Sequence, residues 1–208
     1  MLNSRPFIVE FSGTPEAGKT TTIGTVANML RNKGYKVITL RESAEMLPEE
    51  IPKGTFEGNL WMHMITQSEL LRASYSKSDI VLADRGIIDS YFYGWKFKKE
   101  KKCTEREYEE FKNTFLKRLV PDLLIALMVS PELSIKRRGG EGRLVNTEYV
   151  RSYNELFLDF YGKTKVQKEL IITDKLDIYE MNTIIYDIIL KYMKWKELAQ
   201  RRYPLCCL

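Results

Sequence analysis

One run of eight residues restricts this chain more than any other: Gly13-Thr14-Pro15-Glu16-Ala17-Gly18-Lys19-Thr20 fits G-x-x-x-x-G-K-[ST]. Its context matters as much as its letters. Residues 6–12 (PFIVEFS) read as a buried strand. Residues 19–32 repeat Ile23, Val26, Ala27 and Leu30 at helical spacing and stop at Lys33-Gly34. A strand, a glycine-punctuated turn and a helix, in that order, make an anion cradle. Glycines let backbone N–H groups point inward at phosphate oxygens, and the helix aims its positive end at the same place. The motif assigns Gly13, Thr14, Pro15, Glu16, Ala17, Gly18, Lys19, Thr20 and Thr21 to the phosphates of a nucleotide. Lys19 would reach the β/γ-phosphates, and the Thr20 hydroxyl would ligate Mg²⁺. Glu16 puts a carboxylate near those phosphates, and solvent, metal and acceptor are all open to it.

The rest of the chain repeats the strand-then-helix order. Strands are expected at 36–41, 79–83, 123–129 and 169–173, with helices at 59–77, in a mixed region over 87–118, after Ser130-Pro131, from Asn146 or Thr147 to about 161, and over 178–200. The strands are short, apolar and not alternating, as burial on both faces demands. This predicts an α/β fold with a parallel sheet between helices. There is no internal repeat and no linker, so residues 1–208 are expected to form one domain, in line with a usual size of about 100–200 residues.

Composition excludes several classes. Hydrophobic residues are 44% and charged residues 29%, which argues against a largely disordered chain. No run of about 18 apolar residues exists, so no membrane span is expected. The opening MLNSRPFIVEF lacks the apolar core of a secretory leader. Cys103, Cys206 and Cys207 make no disulfide framework, and the one histidine, His63, has no partners at zinc spacing. A reducing cytoplasm is expected. The net charge of +5 is concentrated in residues 96–102 (KFKKEKK), which hold five Lys and one Glu. That stretch reads first as a solvated loop leading into a charged helix, with nucleic-acid contact as the alternative.

Charges at the strand ends carry the chemistry, because ligands in such folds bind outside the carboxyl ends of the strands. The third strand ends in Asp84-Arg85, where the Asp has the position of a Mg²⁺-holding carboxylate and the Arg that of an anion clamp. The second ends in Arg41-Glu42. Glu42 would be a general base or a water or metal orienter, and Arg41 a phosphate ligand. After the fourth strand, Arg137-Arg138-Gly139-Gly140-Glu141-Gly142-Arg143 interleaves cations with glycines. That composition predicts a mobile cationic lid over about 136–146, with Arg138 and Arg143 on the transferred charge.

Four segments in this order, GTPEAGKTT, TLRES, IVLADRGIIDS and PDLLIALMVSPELSIKRRGGEGR, resemble the P-loop nucleoside and nucleotide kinases. The likeness is to thymidylate kinases first and deoxynucleoside kinases next. It implies a three-layer P-loop NTPase fold with a five-stranded parallel sheet, Mg-ATP as donor, and a nucleoside or nucleotide acceptor under the second and third helices. By that resemblance Lys19 and Thr20 bind ATP and Mg²⁺, and Asp84-Arg85 is the family's D-R pair. Arg137, Arg138 and Arg143 form the lid, and Gln67 and Arg72 are candidate base readers. The chain departs from the family at Ser43, where a Pro is usual, and at Pro15, where thymidylate kinases carry an acidic residue.

The expected activity is therefore phosphoryl transfer from Mg-ATP to a nucleoside monophosphate or a nucleoside. Arg41 and Arg85 favour an acceptor that already bears a phosphate, whereas Glu42 favours a hydroxyl. The alternative is a P-loop ATPase or polynucleotide kinase linked to nucleic acid. A homodimer is left open. A GTPase switch fits poorly, because Asp174-Lys175-Leu176-Asp177 lacks the Asn of N-K-x-D.

Overall fold

The computed structural model describes residues 5–142 and 145–202. Five strands, β1 (Phe7–Gly13), β2 (Val37–Leu40), β3 (Ile80–Asp84), β4 (Leu123–Met128) and β5 (Lys168–Ile172), form one sheet in the order β2-β3-β1-β4-β5. Every pairing is parallel, as the non-alternating apolar runs require. The helices are α1 (Lys19–Asn32), α2 (Phe56–Ser74), α3 (Ile87–Lys99), α4 (Glu105–Asn113), α5 (Pro131–Arg138), α6 (Thr147–Lys163) and α7 (Ile178–Arg202).

Alternate residues of the strands serve opposite layers. Val9, Phe11, Leu82, Ile125 and Leu127 pack against Ile23, Val26 and Leu30 of α1 and Ile185 and Ile189 of α7. On the other face Ile8, Val81 and Ala83 meet Leu70 and Ala73 of α2 and Ile87 of α3. Leu124, Ala126 and Met128 meet Phe92 of α3 and Tyr153, Phe157 and Phe160 of α6. Each such fully buried large side chain contributes roughly 1.5–3 kcal/mol from burial. The result is three layers, with the carboxyl ends of β1, β3 and β4 side by side.

Two expectations shift. The second helix begins at Phe56 rather than 59, because the Thr55 side chain caps it by accepting from Gly58 N at 3.1 Å. The Lys-rich stretch is not a plain loop. α3 runs through its first half to Lys99, and the turn follows at Glu100–Lys102. Lysines in a last helical turn complement the negative end of the helix, so three of them extend α3 rather than break it.

Candidate active site

β1 delivers the chain to the turn between Gly13 and Lys19. Gly13 has φ +114°, and a Cβ there would lie 2.1 Å from Leu127 O, so no other residue fits the close approach to β4. Neighbouring elements fasten the turn. Thr14 N donates to Leu127 O at 3.0 Å, Tyr153 OH donates to Gly13 O at 3.0 Å, and Ser134 Oγ donates to Pro15 O at 2.9 Å. The Thr14 hydroxyl donates to Asn154 Oδ1 at 2.7 Å. Lys19 is 6% exposed, and its Nζ donates to Thr14 O at 2.8 Å and Gly13 O at 3.3 Å. Burial, reinforced by the Arg85 charge, lowers its pKa to about 8.

Asp84 ends β3 beside this turn. Its Oδ2 accepts a hydrogen bond from the Thr20 hydroxyl, while its Oδ1 is buried without a partner. A hydroxyl next to a buried, half-satisfied carboxylate fits Mg²⁺, which takes one or two carboxylates and fills its shell with water and phosphate oxygens.

Arg85 turns the other way. Its φ of +60° is uncommon outside glycine and swings the side chain out of the strand direction. Its Nη1 reaches both oxygens of Asp89 at 3.0 Å. Its Nε lies 2.8 Å from Glu42 Oε1, an ion pair without hydrogen-bond alignment, so Glu42 retains lone pairs for another donor. Beyond this triad opens a cavity of about 510 Å³, walled by the 3₁₀ turn Ser43–Met46, the start of α2 and one face of α3. Asn59, Tyr93 and Phe97 are among its lining residues. That volume suits a small-molecule site of roughly 300–1,000 Å³.

The fold thus brings Lys19, Thr20, Asp84, Arg85 and Glu42 together. Other expected residues lie elsewhere. Arg41 is exposed and does not line the cavity. Gln67 does not line the cavity, and its carboxamide bonds to the backbone after α4. Its Nε2 donates to Thr114 O at 2.9 Å, and its Oε1 accepts from Leu116 N at 2.9 Å. Arg72 pairs with Glu69 at 2.6 Å on the outer surface, its side chain 74% exposed. Arg137 and Arg138 belong to the last turn of α5 rather than to a loop. Arg137 is docked, donating to Glu16 O at 3.3 Å and to Thr173 O and Oγ1 at 3.1 Å. Glu16, Thr21 and Arg138 are exposed. Arg143 lies outside the described residues. His63 is structural, buried against Phe111 and Phe115, and burial lowers its pKa to about 4.

Two residues escaped the sequence reading. Asp89 is one helical turn past Arg85, a spacing that could have revealed it. Glu10 is the one charge in β1, and it is 1% exposed. Its carboxylate accepts from Ile88 N at 3.0 Å and Asp89 N at 2.7 Å, fastening the first turn of α3. A Cβ at Gly86 would lie 2.5 Å from Glu10 Oε2, so only glycine allows this cap.

Burial pushes the Glu10 carboxyl up to about 8. The folded protein then holds a proton that the unfolded chain loses near the ordinary value of 4.5, so stability falls as pH rises between those values. Urea unfolding at steps across this window should show that decline, and Glu10→Gln should flatten it. An unaltered slope in the variant would assign the pH dependence to other groups.

No family model matches the chain. In sequence it is 26% identical to the thymidylate kinase of Caldicellulosiruptor saccharolyticus over 204 residues, covering 89% of this chain and 97% of that protein. It is 22% identical to a thymidylate kinase of Legionella pneumophila over 205 residues, covering 90% and 95%. The chain resembles the thymidylate kinases. In structure it matches a deoxyadenosine kinase from M. mycoides, solved with dCMP and dCDP, at a TM-score of 0.69 and 19% identity, over 89% of this chain and 100% of that one. The five-stranded parallel sheet between helices is the P-loop NTPase-like α/β fold that the four motifs predicted. No helix among the described residues is long and apolar enough to cross a membrane.

Proposed function

We propose that the protein is a cytoplasmic phosphotransferase that moves the γ-phosphoryl group of Mg-ATP to a hydroxyl or phosphate of a nucleoside or nucleotide. One observation carries this reading: two consecutive residues face two sites. Asp84 touches Thr20 of the phosphate turn, and Arg85 lines the acceptor-sized cavity. A donor phosphate and an acceptor would therefore meet across a single peptide unit. The thymidylate kinase relatives, and the deoxyadenosine kinase of like fold, support the choice of nucleosides and nucleotides as acceptors.

In this reading the backbone N–H groups from Gly13 to Thr20 hold the donor phosphates, and Lys19 neutralises charge on the group in transfer. Thr20 and Asp84 would hold Mg²⁺, which supplies further neutralisation when bound. Glu42 accepts the proton of an acceptor hydroxyl, and Arg85, held by Asp89, keeps Glu42 oriented. Arg138, with Arg143 beyond it, is the source of cations for a closing lid. The preference for a phosphate-bearing acceptor at Arg85 loses force, because Arg41 is outside the cavity and Arg85 already faces two carboxylates.

A panel of nucleosides and nucleoside monophosphates, assayed for phosphorylated product with Mg-ATP, tests the proposal. With a hydroxyl acceptor, Glu42→Gln should lower kcat by about 10²-fold with little change in KM. With a phosphate acceptor, Arg85→Ala should instead raise KM sharply. ATP hydrolysis at one rate with every acceptor and none would count against the kinase reading.

A further inference from the structure

Phosphoryl transfer at Asp84 and Arg85 leaves the Lys-rich stretch 96–102 without a role. In the fold the stretch divides. Lys98 and Lys99 turn outward, to Glu105 at 2.6 Å and Asp159 at 3.0 Å. Lys96 and Lys102 line the acceptor cavity instead. Helical spacing explains Lys96: Asp89, Tyr93 and Lys96 stand at i, i+4 and i+7 on one face of α3. Lys96 is two turns beyond Asp89, about 10 Å along the axis.

The side chain of Lys96 is 9% exposed, and its ammonium has one ion-pair partner among the described residues, Glu100 at 2.7 Å. That carboxylate is shared, because Lys102 Nζ is 2.7 Å from its other oxygen. Lys96 and Lys102 both lie over the Phe97 ring, at 5.7 and 5.9 Å. Lys53 enters the same cavity and has no ion pair among the described residues. Phe56, three positions after it, packs in one cluster with Phe97. Three lysines thus line the cavity, with one carboxylate between two of them. At the Arg85 side the balance is reversed, one guanidinium against Glu42 and Asp89.

The cavity is polarised, and its polarity would orient whatever enters. A phosphate at the Arg85 side meets two carboxylates, a repulsive arrangement. At the lysine side it meets donors with unfilled capacity, since each ammonium offers three. We propose that Lys53, Lys96 and Lys102 form an anion site for a phosphate remote from the acceptor's reacting hydroxyl. The acceptor class is then a nucleoside phosphorylated away from that hydroxyl, such as a nucleoside 3′-monophosphate reacting at its 5′ end. This rests on the kinase reading of the cavity. The volume of about 510 Å³ is the size of a mononucleotide site.

The test compares KM, with Mg-ATP saturating, for a deoxynucleoside, its 5′-monophosphate, its 3′-monophosphate and a 5′-hydroxyl oligonucleotide. The 3′-monophosphate should have a KM about tenfold or more below that of the nucleoside, the size of one charge-assisted contact. Lys53→Ala with Lys102→Ala should cancel that advantage, and Lys96→Met should do the same if it folds. Lys53 and Lys102 are exposed, so the double variant keeps the test open should Lys96→Met unfold. Equal KM values for nucleoside and 3′-monophosphate would overturn the proposal. So would a double variant that raises both by the same factor, or preference for the 5′-monophosphate. Preference for the oligonucleotide over the 3′-monophosphate would overturn the mononucleotide as the source of the phosphate. Transfer to no acceptor at all would instead remove the kinase reading beneath it.

Discussion

Lys19→Ala is expected to lower phosphoryl transfer by about 10³-fold or more while the fold stays intact. The size follows from what the ammonium does. Removing one preorganised donor aimed at developing charge costs about 10²–10³ in turnover, and Lys19 carries a full charge in a site shielded from water. The intact fold follows from what holds Lys19 now. Its Nζ touches two backbone carbonyls of the phosphate turn and no carboxylate within ion-pair distance among the described residues. Burial disfavours its charged form, so the folded protein gains little from the ammonium. The turn keeps its other fastenings at Leu127, Tyr153 and Ser134. A steady-state assay and a thermal melt of the same variant separate the two effects. Turnover unchanged by Lys19→Ala would sink the phosphate-loop reading, and a collapsed melt would show that the lysine is structural.

Asp84→Asn should cost about 10²-fold or more in turnover and much less in nucleotide affinity. Asn preserves the shape beside Thr20 and can still accept the Thr20 hydroxyl, but it withdraws the charge that would hold Mg²⁺. Affinity depends mainly on the backbone cradle, which the substitution leaves alone. Equilibrium binding of ATP, set beside kcat over a Mg²⁺ titration, checks both halves. Full activity in the variant would move the metal site away from β3.

Much of this was legible in the chain because it depends on near neighbours. The phosphate turn needs glycine at fixed offsets, a strand before it and a helix after it, and all three are local. The parallel sheet was legible for a related reason: strands buried on both faces must be apolar throughout, and those runs alternate with helical periods. Asp84 and Arg85 were placed at the end of the third strand because a charge just past an apolar run marks a strand end.

What failed was whatever depends on the direction of a side chain. Gln67 and Arg72 share a helix with cavity residues, yet Gln67 faces α4 and Arg72 faces solvent. The helix carries residues on every side, and packing alone selects which side meets the cavity. Glu10 escaped notice, because its partners, the amides of Ile88 and Asp89, are 78 and 79 residues away. The lysines of 96–102 carry the same charge in sequence, but α3 sends two outward and places Lys96 on the cavity wall. The sequence by itself determined an α/β fold with a parallel sheet and a glycine-bounded turn between β1 and α1, since apolar runs and turn chemistry are set by short-range rules. Only the tertiary structure decided the cavity beside Arg85, because it is assembled from α2, α3 and two strand ends, and its polarity is a property of their juxtaposition.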